Sequence, residues 1–294
     1  GGIVFNSYLR LQIIRDYIQT TPFSSNNQVP VFIFNNSNQN KKISLPKLLP
    51  NIFTTIGLCS GLTGIRFALD GNWQNAVFCI LVAACFDMID GLSARLLKAF
   101  SPFGAELDSL ADTISFGVSP AIITFLWIRE PIISTDQEFL LEWYWIPFLF
   151  YSACNAFRLA RFNVMHMGQT AEKESKSYFV GVPAPAAAGL VLMPLGLDFI
   201  FARFDVSFTT SSYPVLIICW VFLISSLMIS RLPTFSFRNV RFNVASNKAL
   251  LVLLAVCLGV SIFMKETWIF LFSVGVLYFL SIPIASIASR KDNI

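Results

Sequence analysis

The chain has 294 residues, of which 55% are hydrophobic, 15% aromatic and only 13% charged, and its mean hydropathy is +0.66. A soluble domain carries about 25% charged residues, so this composition excludes a solvated globular surface and points to an integral membrane protein. The net charge of +4 follows from the placement of basic residues around membrane spans and gives no reason to expect nucleic acid as a partner.

Residues 1–46 differ from the rest. They carry the polar tracts SSNNQ and NSNQNKK, are interrupted by Pro30, and contain only short apolar pieces. No long apolar core precedes a small-residue cleavage site, so this segment is not read as a secretory signal. It is expected to be a polar cytoplasmic extension with a short surface helix near YLRLQIIRDYI. A chain that starts at Gly1 rather than Met is expected to be a fragment or a processed form.

From there on, eight stretches are long and apolar enough to be read as spans, at about 50–69, 74–92, 106–128, 143–162, 179–201, 213–230, 249–264 and 267–288. A bilayer needs about 20 apolar residues per helix. The runs lack the strict alternation of barrel strands, and backbone groups in lipid must be satisfied within the segment. The expected fold is therefore all-α, with one membrane domain at 47–230 and a loop plus tight helical hairpin at 231–294 split near Lys265-Glu266. Placing the N-terminus in the cytoplasm puts 17 of the 21 basic residues on that side, leaving Arg66, Arg129, Arg203 and Lys265 opposite. Both termini are then cytoplasmic by the positive-inside rule.

The six cysteines, Cys59, Cys79, Cys85, Cys154, Cys219 and Cys257, form no CxxC pair and lie in apolar segments. They are expected to be buried free thiols rather than a disulfide framework or zinc site. A single histidine, His166, excludes a multi-histidine centre and is expected in a polar loop.

The chemistry-bearing stretch is DMIDGLSARLLKAFSPFGAELDSLADT at 87–113. Asp87 and Asp90 are three apart, and Asp108 and Asp112 four apart, so each pair shares one helix face about 4.5–6 Å apart along the axis. Ser101-Pro102 and Gly104 suit a turn and a close helix approach. The second and third spans can then form a hairpin whose acidic faces meet. Four carboxylates in one pocket repel one another unless a cation neutralises them, and hard oxygen donors favour Mg²⁺, Mn²⁺ or Ca²⁺. Spacing alone leaves three readings open: metal-dependent chemistry, an ion or proton pathway, and structural pairing.

The intervening residues narrow the choice. Asp87, Asp90, Gly91, Ala94, Arg95, Gly104, Asp108 and Asp112 fall in the pattern D-x-x-D-G-x-x-A-R-x8-G-x3-D-x3-D, which resembles the signature of the CDP-alcohol phosphotransferase family at every fixed position. The resemblance implies a membrane enzyme with a six-helix core, usually dimeric. Such an enzyme passes a substituted phosphate from a CDP-linked donor to an alcohol and releases CMP. It further implies that Asp87, Asp90, Asp108 and Asp112 hold divalent cations, Mg²⁺ or Mn²⁺ and two in number, with Asp112 also the general base. Gly91, Ala94, Arg95 and Gly104 then match positions that shape or contact the CDP site, with a positive-inside anchor as the lesser reading of Arg95. An ion-coupled transporter does not account for these spacers.

Further stretches resemble the bacterial-type phosphatidylserine synthase branch of that family: GAELDSLADTISFGVSPA, FRLARFN at 157–163, GVPAPAAAG at 181–189 and PNIFTT near Asn51. That likeness implies CDP-diacylglycerol as donor, L-serine as acceptor, a homodimer among membrane lipids, and a site facing the cytoplasm, in a bacterial cytoplasmic membrane. Glycerol 3-phosphate or an inositol derivative is the alternative acceptor within the family. Arg158 and Arg161 share a helical face suited to an anion, or to a lipid headgroup. Ser109 and Asn163 are weaker candidates for serine contacts. Asn51 and Thr54 resemble positions near the nucleotide, or cap the first span. The two prolines and small residues of GVPAPAAAG imply a broken or closely packed fifth span.

Overall fold

The computed structural model describes residues 48–97, 99, 101–134, 141–167, 178–230, 232–235, 259, 261, 263–265 and 266–291. The expected N-terminal extension and nearly all of the expected span at 249–264 lie outside the described residues.

Eight α-helices carry the architecture of the described residues: α1 (Leu49–Leu69), α2 (Trp73–Leu96), α3 (Pro102–Asp112), α4 (Ser119–Ser134), α5 (Leu141–Met167), α6 (Ala184–Arg203), α7 (Pro214–Ile229) and α8 (Thr267–Lys291). A π-helical turn, Thr113–Val118, joins α3 to α4, so that Pro102–Ile133 is one continuous span. By length and apolar composition, α1, α2, this joined span, α6 and α8 can each cross a membrane. The expected spans at 143–162 and 213–230 correspond to α5 and α7. α5 carries Glu142, Arg158, Arg161 and His166 along its 27 residues, and α7 has only 16 residues. The chain is thus an all-α membrane protein. The backbone of His166 lies in the last turn of α5, a helical position and not a loop.

Small residues set the closest packing. Gly57, Gly61, Gly64 and Ala68 form one buried stripe on α1, at the spacing that lets two backbones approach in lipid. A Cβ at Gly64 would sit 3.0 Å from the Ala76 carbonyl oxygen and 3.3 Å from Cys79 Cβ of α2. Ser60 Oγ donates to the Cys79 carbonyl at 2.8 Å across the same seam. The α1–α2 corner is closed by Gly71 at φ +72° and by the Asn72 side chain, which accepts from the Asn75 amide, a standard N-cap arrangement. α4 to α7 supply the deepest core, with Ile123, Ile128, Phe148, Tyr151, Val191 and Val221 fully enclosed. Many large apolar side chains, among them Met88, Leu110, Leu216 and Leu277, face outward instead, as a lipid surround allows.

The fifth expected span begins later than its hydropathy suggests. Tyr178–Val180 is a short strand that pairs antiparallel with Pro233–Phe235, and helix α6 starts only at Ala184, after an extended Pro183. A residue before proline disfavours the helical region, and Gly181 takes φ +78°. A side chain at Gly181 would meet the Met228 carbonyl oxygen at 2.5 Å, so this position needs glycine. The strand pair ties the start of α6 to the end of α7.

The cysteines correct a second expectation. The described ones are free, but only Cys154 is buried; Cys59, Cys85 and Cys219 face outward and Cys79 is half-buried. An apolar span in lipid exposes its apolar residues, so an apolar neighbourhood in sequence does not imply protein burial.

Candidate functional site

The acidic hairpin forms as its spacing requires. Ser101 caps α3, accepting the Gly104 amide at 3.0 Å, and Pro102 occupies the first turn, where its missing N–H costs nothing. This sharp start places Asp108 of α3 opposite Asp87 and Asp90 of α2. One carboxylate oxygen from each of the three lies within 4.8 Å of the others. Asp112 falls outside this close trio but lines the same pocket, whose walls also include Thr54, Gly57, Ala111 and Ser115.

α1 supplies a neutral side-chain donor to the cluster. The Thr54 hydroxyl, itself 6% exposed, lies 2.7 Å from Oδ2 of Asp90, which is 5% exposed. Thr54 is therefore more than a helix cap, since its side chain reaches a carboxylate of the neighbouring helix α2. Three carboxylates converging in an apolar span form an unfavourable array unless a cation joins them. Their all-oxygen donor set fits a hard divalent ion. Asp87, Asp90 and Asp108 could together hold such an ion.

The small residues of the motif divide by what surrounds them. Among the described residues, no atom outside its own helix backbone and chain neighbours lies within 4 Å of a Cβ built on Gly91, which leaves an open helix surface one turn beyond Asp87. Gly104 is different: a Cβ there would come within 2.8 Å of Asn51 Oδ1, so this glycine admits the Asn51 side chain between α1 and α3. Ala94 is half-buried and Arg95 exposed near the end of α2.

The expected acceptor residues also separate. Asn163 donates to Ser109 Oγ at 2.9 Å, tying α5 to α3 one turn before Asp112. Arg158 turns inward, into electrostatic reach of Asp112, and its Nε is buried without a hydrogen-bond partner. Arg161 is half-buried, and neither arginine makes an ion pair among the described residues.

Sequence reasoning missed the clamp that holds the far side of the pocket. Asp112 is followed at once by the π turn, and α5 presents a row of donors to it. Tyr151 Oη donates to the Phe116 carbonyl at 2.8 Å, Ser152 Oγ to the Gly117 carbonyl at 3.0 Å, and Asn155 Nδ2 to the Asp112 carbonyl at 3.5 Å. A π turn breaks the regular i→i−4 ladder and frees carbonyls for side-chain donors. Asn155 is fully buried against Gly117, where any Cβ would collide with it. The signal was present in YSACN at 151–155, polar groups at i, i+1 and i+4 on one face of an apolar helix.

The hairpin of α2 and α3 thus brings a carboxylate trio, a fourth acid and an open glycine surface together within a membrane-spanning fold. The chain belongs to the CDP-alcohol phosphatidyltransferase family, whose model matches residues 47–228. Among curated proteins it is 38% identical over 187 residues to the CDP-diacylglycerol–serine O-phosphatidyltransferase of Mycobacterium leprae, covering 64% of this chain and 58% of the relative. The protein of the same name from Mycobacterium tuberculosis is 32% identical over 246 residues, covering 83% of this chain and 80% of that one. The Saccharomyces cerevisiae protein of that name is 34% identical over 184 residues, covering 60% of this chain and 63% of its own.

Proposed function

We propose that this protein transfers the phosphatidyl group of CDP-diacylglycerol to the hydroxyl of L-serine, giving phosphatidylserine and CMP. The observation that carries the reading is the meeting of Asp87, Asp90 and Asp108 beside Asp112, next to the open surface at Gly91. The relatives' names supply the donor and acceptor.

Asp87, Asp90 and Asp108 would hold divalent cations, Mg²⁺ or Mn²⁺ and two in this reading, with Asp112 alongside. When bound, these would neutralise the diphosphate and the departing CMP. Thr54 keeps the Asp90 carboxylate turned into the site. Gly91 and Ala94 let the nucleotide approach the α2 backbone, Arg95 offers a planar fork to phosphate oxygens, and Asn51 with Gly104 closes the α1–α3 side. Asp112 takes the serine hydroxyl proton. The serine oxygen then bonds to the phosphorus that carries diacylglycerol, and the bond from that phosphorus to the oxygen retained by CMP breaks. Arg158 faces the serine carboxylate, with Arg161, Ser109 and Asn163 at the rim. In this reading the site opens on the cytoplasmic face by the distribution of basic residues; the bacterial membrane and the homodimer rest on family resemblance alone.

The test is purified protein given CDP-diacylglycerol, Mg²⁺ or Mn²⁺, and a panel of alcohols. CMP release with serine and not with glycerol 3-phosphate or inositol supports the assignment. Release only with another alcohol overturns the serine acceptor and leaves the family intact.

A further inference from the structure

α3 carries two of the four acids, Asp108 and Asp112, yet of its 11 residues only Ala111 is buried. Phe103 and Leu110 of the same helix face outward. Burial of an apolar face is what ordinarily fixes a helix about its axis, and α3 has almost none. Successive residues are turned by about 100°, so a modest rotation of α3 carries Asp108 out of the carboxylate trio and Asp112 off the pocket wall. Something other than burial has to hold the angle.

Polar ties to the neighbouring helices supply it. At the start of α3, Gly104 packs on the Asn51 side chain of α1. Midway, Asn163 Nδ2 of α5 donates to Ser109 Oγ at 2.9 Å, and Ser109 stands between Asp108 and Asp112 in the chain. A serine hydroxyl has one proton to give. Ser109 gives it to the Ala105 carbonyl at 3.0 Å, which presents the oxygen to Asn163 as an acceptor. The Ser109 carbonyl in turn accepts the Thr113 hydroxyl at 2.8 Å, at the first residue of the π turn. About two turns back along α5, Asn155 reaches the Asp112 carbonyl. α5 therefore holds α3 at Ser109 and again at Asp112.

The sequence offers Asn163 and Ser109 as contacts for serine, but the geometry gives their polar atoms to each other. We propose that they are positioning residues: their hydrogen bond sets the rotation of α3, and with it the places of Asp108 and Asp112. The proposal rests on the transferase reading for the reaction it serves. It leaves the acceptor's carboxylate to Arg158 and Arg161.

The test uses the full chain in detergent, with Asn163→Leu (similar size, no donor), Ser109→Ala and the double variant. In each, kcat for CMP release should fall about 10- to 100-fold, the scale of loss when reacting groups are misplaced, with KM for serine unchanged. The double variant should be no slower than the slower single one, because both changes break the same bond. Ser109→Thr restores the acceptor oxygen and should recover most of the kcat that Ser109→Ala loses. A raised KM for serine with kcat retained would make the pair serine contacts and overturn the proposal. Losses that multiply in the double variant would overturn it too. Mn²⁺ binding followed by electron paramagnetic resonance, with neither substrate present, needs no turnover. Asn163→Leu and Ser109→Ala should weaken it by one common factor, about tenfold, and an unchanged Kd in both would contradict the proposal. Absence of CMP release from wild-type protein with every alcohol would strike at the transferase reading, and the Mn²⁺ titration would still decide the role of the pair.

Discussion

Thr54 of α1 reaches across to Asp90 of α2 with a 2.7 Å hydrogen bond, both residues being almost completely enclosed. A carboxylate with one oxygen engaged by a fixed hydroxyl is oriented before any cation arrives. Thr54→Val keeps the shape and removes the donor. Loss of a partner behind a metal ligand typically weakens binding about 10- to 100-fold, so activity titrated against Mg²⁺ or Mn²⁺ should require that much more metal. Chelation should abolish turnover in both proteins, with wild type recovering at the lower metal concentration.

Two glycines, Gly61 of α1 and Gly91 of the motif, should behave in opposite ways. A Cβ at Gly61 would sit 2.9 Å from Ser115 Cα, within the π turn, where backbone cannot yield cheaply. Gly61→Ala should destabilise by about 1–3 kcal/mol, the usual cost of overpacking, and should lower kcat by displacing Asp112. Gly91→Ala meets nothing and adds helix propensity of about 0.5–1 kcal/mol. It should leave thermal unfolding unchanged or raised while increasing KM for the CDP-linked donor.

The hydroxyl of Tyr151 holds the Phe116 carbonyl inside the core at 2.8 Å. In Tyr151→Phe that carbonyl is left buried without its donor, at a cost of about 1–3 kcal/mol. Thermal unfolding in detergent should shift downward. Because the π turn begins directly after Asp112, kcat should fall more than KM for either substrate changes.

What the sequence made legible was what depends on local spacing. Asp87 and Asp90 share a helix face because they are three apart, and Asp108 meets them because Ser101-Pro102 starts a helix sharply. What it hid depends on geometry between helices. Nothing in Thr54 says that its hydroxyl, 3.0 Å from the Pro50 carbonyl of its own helix, also reaches Asp90, and Gly104 gives no sign that its neighbour is Asn51. The π turn at Thr113–Val118 is a one-residue widening within one continuous helical span, which leaves the hydropathy profile unchanged. The strand at Tyr178–Val180 was masked for the same reason, since apolar residues continue straight into α6. Gly181 and Pro183 carried the signal, as a left-handed residue and a helix start.

The most direct test of the account is Asp112→Asn in the purified protein, with CMP release and CDP-diacylglycerol binding measured on the same preparation. Asp112 lines the pocket without joining the close carboxylate trio, so under the proposed function the variant keeps the carboxylates that would hold cations and, through them, the donor, and loses the group that would accept the serine proton. The account predicts donor binding within a few-fold of wild type and CMP release reduced by about 100-fold or more. CMP release at the wild-type rate would contradict it.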